Sequence, residues 1–317
     1  MAAVSMSGRR ALYNWRIYLY VLPSLGLILT FCYFPAISAV VRSFFEWQGG
    51  DYMQFIGWEN YTNAFNDPVL RSSFVTISVL IVAGIIKMVP SILLAVLIHR
   101  IASDRWQYWY RVLLIIPMVV PDLVNIFIWK FFFDPNLGLI NASFDLFGIK
   151  SALVWLDQHV LHWSAFRPDS PISWLNEPRL IIPSLIFWGF PWIGAMSVYI
   201  FLAGLQSIGA EVYEAAELDG ASSWQKFTKI EFPLIMTQVR LNVILVVIGT
   251  LQGYGLQYLL LGPAGGPAGR GMVPGLWMFN RAFIAGQFGY ACAIGMMLFL
   301  IIAVLTYFNN KYIRVEK

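Results

Sequence analysis

Charge is what this sequence has least of. Asp, Glu, Lys and Arg together supply 12% of its 317 residues, where a soluble domain carries about 25%. Cysteine is nearly absent as well. Cys32 and Cys292 both lie inside apolar runs, so neither a disulfide framework nor a zinc set is available. No Gly-x-x-x-x-Gly-Lys-Ser/Thr string occurs, which excludes ATP binding through a P-loop of the chain's own. The Gly-rich run 262–275 holds Pro263, Pro267 and Pro274 and leads into no such helix start, so it reads as an outer turn. His159 and His162 stand three apart without matching Cys or acidic partners, and their segment reads as an interfacial loop rather than a metal site. No nucleophile–base set stands out that would make an intramembrane enzyme.

What the chain has in quantity is apolar length. Hydrophobic residues make up 59%, and the mean hydropathy is +0.67. Six segments, 17–42, 74–99, 109–133, 179–206, 234–261 and 284–309, are each long enough to cross ~30 Å of hydrocarbon. The expected fold is therefore all-α and polytopic. The apolar run after Arg9, Arg10 and Arg16 is too long for a cleaved signal peptide and reads as a retained first span. The net charge of +4 calls for no nucleic-acid partner. It follows from Lys and Arg gathering on the cytoplasmic side, where Arg100, Arg105, Arg111, Lys226 and Lys229 occupy short loops. With Lys311, Arg314 and Lys317 they place both termini inside.

The most charged stretch, 211–233, lies between two of these spans. Glu211, Glu214 and Glu217 fall at helical i, i+3 spacing, with Ala215 and Ala216 favouring helix between them. Gly220 ends that helix, Ser222 or Ser223 caps a second one carrying Trp224 and Phe227, and Pro233 closes it. Two short helices exposed between spans make a docking handle.

Glu214, Ala215, Ala216, Asp219, Gly220, Ile230 and Pro233 keep a spacing that resembles the EAA loop of ABC importer permeases, with Phe232 where the family usually has Leu. The likeness extends to Asp134–Asn141, Phe201–Ile208, Gly265–Pro267 and Phe288–Ala291, and it is to the MalF-like carbohydrate branch. It implies an N-terminal tail, first helix and outer loop (1–72), a five-helix permease core (73–310) holding the coupling loop (208–233), and a cytoplasmic tail (311–317). It further implies a bacterial or archaeal plasma membrane, a homologous second permease, and a pair of ATPase subunits docked on the loop. ATP and Mg would bind those subunits and no cofactor this chain. An extracytoplasmic binding protein would deliver the sugar. Residues 143–173 are longer than the family's usual outer loop and carry no motif, but Trp155, Trp163 and Trp174 point to a lobe at the membrane interface.

Two charges lie about thirteen residues into their spans, Lys87 and Asp122, where each costs at least ~2.5 kcal/mol. They could pair across spans two and three, and Asp122 occupies the span on which the similar maltose permease subunit places a sugar-contacting group. Thr250, Gln252, Tyr254 and Gln257 crowd span five, with Trp188 and Trp192 on span four. Amides and hydroxyls bind sugar hydroxyls while aromatics stack on apolar sugar faces, although polar residues also serve as glue between helices. A secondary carrier with Lys87 and Asp122 as a proton relay is the alternative. It expects paired inverted repeats, which the sequence does not display.

Overall fold

The computed structural model describes residues 15–312; Arg9, Arg10, Arg314 and Lys317 lie outside them. The helices in chain order are α1 (Trp15–Ile28), α2 (Phe34–Arg42), α3 (Glu59–Asn66), α4 (Pro68–Ile86), α5 (Met88–His99), α6 (Asp104–Val119), α7 (Asp122–Phe132), α8 (Leu139–Leu146) and α9 (Ile149–Leu156). There follow α10 (Ile181–Phe187), α11 (Ala195–Gln206), α12 (Ala210–Leu218), α13 (Ser223–Lys226), α14 (Met236–Gln252), α15 (Gly255–Leu261), α16 (Pro274–Phe279) and α17 (Phe288–Tyr312). A two-stranded hairpin, β1 (Phe45–Trp47) with β2 (Met53–Phe55), is antiparallel and pairs Glu46 with Gln54. The helical, membrane-spanning class expected from hydropathy is what forms, with this one small hairpin among the described residues.

The chain divides into two compact units. One comprises the described residues up to 65 together with 281–297. Its first span, Leu19–Arg42, buries none of its apolar window within the chain. The hairpin after it is tied down by the buried Asn60, whose Nδ2 donates to the carbonyls of Ser43 and Phe45, each at 2.9 Å.

The second unit, 66–280 and 298 onward, holds the remaining core. Asp67 caps α4 by accepting from the backbone of Val69 and Leu70. Helices α5 and α11 pack Met88, Ile92 and Val96 against Val198, Phe201 and Leu205, with Ile235 closing the cluster. Among the described residues three apolar spans are long enough without a sharp bend, Leu19–Arg42, Pro68–His99 and Phe288–Lys311. Span three turns by 87° between α6 and α7. The helix leaves the α conformation at Val120 and Pro121, which follow Pro117 within four residues. Span four is split into α10 and α11 by residues 188–194, and span five into α14 and α15 by Gly253 and Tyr254.

Residues 134–178 are not an irregular loop. Asp134 accepts from the backbone of Asn136 and Leu137 and turns the chain into α8. Asn141 donates to the carbonyls of Pro135 and Ile172 and accepts from Trp174 Nε1 at 2.8 Å. Phe133, Ile140, Phe166, Ile172 and Leu180 bury around Trp174. Trp174 is thus core rather than a membrane-interface residue, while Trp155 is exposed. The lobe turns on Asp157, 3% exposed, whose two oxygens accept from the backbone N–H groups of Trp163, Ser164, Ala165 and Phe166 at 2.6–3.2 Å. Burial pushes its carboxyl up, but those four bonds outweigh burial and hold it below the usual carboxylate range.

Candidate functional site: the inner hairpin and the broken spans

The inner hairpin forms as its residues dictate. Gly220 takes φ +71°. Its N–H reaches the Glu217 carbonyl and that of Ala221 reaches Ala216, the paired bonds of a Schellman cap. Ser222 then opens α13 with a reciprocal capping box to Gln225. Lys226 and Glu217 join the two arms at 2.8 Å, and this contact lowers the pKa of the Glu217 carboxyl. Of the motif residues, Glu214, Ala215, Asp219, Gly220 and Pro233 are exposed, Ile230 is half-buried, and Ala216 packs inward. The tip also presents Leu218, 90% exposed, and Trp224, 68% exposed.

The hairpin is gripped from below by the end of α5. Arg100 meets Glu231 with both arms, Nε to Oε1 at 2.9 Å and Nη2 to Oε2 at 2.7 Å, and Glu231 has no exposed side-chain surface. The same guanidinium donates to the Ser223 carbonyl at 2.8 Å. His99 Nε2 lies 3.1 Å from the Tyr213 hydroxyl on α12. Burial, with Glu231 nearby, pushes the Tyr213 phenol up to about 12, so it stays protonated. These side chains line an open polar cleft of about 350 Å³ that Glu217, Ser223 and Lys226 complete. Sequence reasoning missed the whole grip, because Arg100 served there only to set orientation. The signal was Glu231 itself, a carboxylate at the mouth of an apolar span that demands a cation.

The mid-span residues separate into two groups. Lys87 does not pair with Asp122. Its Nζ donates to the carbonyls of Leu185 at 3.4 Å and Trp188 at 3.1 Å, at the frayed end of α10. Those carbonyls lack partners of their own helix, and they carry the negative end of its dipole, so an ammonium is well placed there. Ser91, one turn further along, accepts from the Gly194 N–H at 3.0 Å and donates to the Trp192 carbonyl at 3.3 Å. Asp122 is exposed at the first turn of α7 and makes no ion pair among the described residues. This removes the paired charges on which a proton relay would depend.

Around the breaks, Trp188 Nε1 is buried without a hydrogen-bond partner among the described residues. Trp192 Nε1 donates to Ile186 O at 3.0 Å. In span five, Gln257 is buried on α15, Thr250 is half-buried and Gln252 exposed at the end of α14, and Tyr254 stacks on Phe279 at 5.1 Å. Helices α7 and α15 meet through Ile126 and Leu260, and Lys130 Nζ donates to the Leu259 carbonyl at 3.1 Å. Spans three and five are therefore neighbours.

Apolar spans that are broken part-way, with an exposed two-helix handle between two of them, fit a membrane transport subunit. The chain belongs to the family of binding-protein-dependent transport system inner membrane components, whose model matches residues 91–313. Among similar proteins, the lactose transport system permease protein LacF of Rhizobium radiobacter is 26% identical over the full length of both chains. The multiple sugar-binding transport system permease protein MsmF of Streptococcus mutans is 28% identical over 96% of this chain and 98% of that protein. In fold, the chain resembles a solved bacterial ABC transporter involved in the import of the acidic polysaccharide alginate. There the TM-score is 0.78 at 20% identity, covering 96% of this chain and 97% of the other.

Proposed function

We propose that this chain is one half of the membrane pathway of an ATP-driven carbohydrate importer, working beside a homologous second permease. Both termini face the cytoplasm of a bacterial or archaeal cell, and a pair of ATPase subunits, which carry the ATP and Mg, docks on the hairpin α12–α13. The observation that carries the reading is that hairpin: a capped, rigid handle that exposes Glu214, Leu218, Asp219 and Trp224. The sugar names of the relatives support a carbohydrate cargo. So do the buried Gln257 amide and the unpartnered Trp188 Nε1 beside the broken spans, since polar groups held at membrane depth are costly unless something bonds them. A binding protein on the outer side would hand over the sugar. One solved alginate transporter is seen with its alginate pentasaccharide-bound periplasmic protein, and here the lobe built around Asp157 is a feature on which such a partner would rest. The test is Glu214→Lys in the co-expressed complex. Insertion is expected to persist while co-purification of the ATPase weakens and sugar uptake is lost; full uptake with normal assembly refutes the docking.

A further inference from the structure

The two ends of α5 hold different things. At its outer end Lys87 and Ser91 bond the backbone of residues 185–194, where span four is broken. At its inner end His99 and Arg100 hold both arms of the hairpin, α12 through Tyr213 and the second arm through Ser223 O and Glu231. Between them lie twelve residues of unbroken helix, about 18 Å long. Its middle packs on α11 through Ile92, Ala95 and Val96, buried to 6% exposure or less.

From this geometry we infer that α5 is the tie that carries movement of the hairpin to the broken part of span four, and that Arg100 is the positioning residue fixing its inner end. The inference rests on the docking role proposed for the hairpin and adds the route inward from it. A helix keeps its length when pushed, because every backbone bond along it must break to shorten it. Side-chain bonds to backbone atoms at each end then make its ends follow the segments they hold. The pair at the inner end is suited to this. A forked, charge-assisted contact fixes orientation as well as distance, and Glu231, having no exposed surface, has no water to turn to if the hairpin shifts without α5. Packing alone would hold the helices together but would let them slide.

Two variants of the full complex, with ATPase, second permease and binding protein, test this. Arg100→Met with Glu231→Met removes both charges and leaves no buried ion unpaired, so assembly is expected to survive. Arg100→Lys keeps the charge but loses the fork and the Ser223 contact. In both, the ATPase should co-purify within about twofold of the unaltered complex, while sugar taken up per ATP hydrolysed falls, about tenfold in the double variant and less in the lysine one. Unaltered uptake per ATP in either assembled variant overturns the inference and leaves the pair as packing. Loss of the ATPase from Arg100→Lys also overturns it, by making Arg100 part of the docking surface. Failure of the docking reading is distinguishable, because it shows itself as ATPase retained in Glu214→Lys.

Discussion

Replacing Asp157 should unlock the outer lobe, and the size of the effect follows from its four bonds. In Asp157→Ala the N–H groups of Trp163, Ser164, Ala165 and Phe166 lose their acceptor. Only the Phe166 bond is fully buried and the other three are part-buried, so at about 0.5–1.5 kcal/mol per bond even the low end removes ~2 kcal/mol from the local structure, a factor of about thirty in its opening equilibrium at 1.4 kcal/mol per decade. Asp157→Asn is about half as harmful. Whichever way the amide turns, two of the N–H groups face an NH₂, and the loss is about 1 kcal/mol or more, some fivefold. The backbone offers no substitute, since His162 and Ser164 sit at φ +51° and +57° and hold that strained shape only while the carboxylate organises them. Amide hydrogen exchange of the purified protein, followed by mass spectrometry on peptides covering 157–166, reads this directly. The pH dependence has a definite sign. A carboxyl held below its ordinary value stabilises fully above ~4, and that contribution is lost as pH falls through the lower, folded value. Protection corrected for intrinsic rate should therefore be level from neutral pH down to about 4. Protection in Asp157→Ala within threefold of the unaltered chain would refute the account.

Asp122→Ala and Gln252→Leu should each lower uptake or alter which sugar is accepted while leaving binding-protein-stimulated ATP hydrolysis in place; kinetics of uptake in proteoliposomes decide it, and unchanged kinetics in both remove these residues from the sugar path. Gly220→Val should strain the cap at φ +71° by about 1–2 kcal/mol, loosening the hairpin so that ATPase co-purification falls several-fold; undiminished recovery would mean that the cap does not shape the docking surface.

The hairpin could be read from sequence because its determinants are local. Gly220, Ser222 and Gln225 specify their turns within a few residues, and the motif spacing is the spacing of those turns. The spans were legible as lengths of apolar chain but not as broken helices, since hydropathy averages over about twenty residues and is blind to where the backbone bonds stop. Pro117 with Pro121, Pro191, and Gly253 with Gly255 sit at or beside those breaks, yet membrane helices also absorb such residues without breaking, as α1 does at Pro23. The long-range partnerships were beyond local reasoning. Arg100 and Glu231 are 131 residues apart. Lys87 could have paired with Asp122, but its partners are backbone carbonyls freed by a break that the sequence does not announce.

Those breaks also bear on how the chain is made. Helices α10 and α15 have seven residues each, about 10 Å of a ~30 Å hydrocarbon layer, so neither can enter a membrane as a span by itself. In the finished protein Ile181 and Leu185 of α10 are covered by Ile126 of α7 and Leu260 of α15. Ile126 is already synthesised when α10 emerges, but Leu260 is about 75 residues behind. At roughly 5–20 residues per second the ribosome delivers it some 4–15 s later. During that interval α10 must be sheltered by the insertion machinery or by earlier helices, and shortening the chain just before α15 would strand it there.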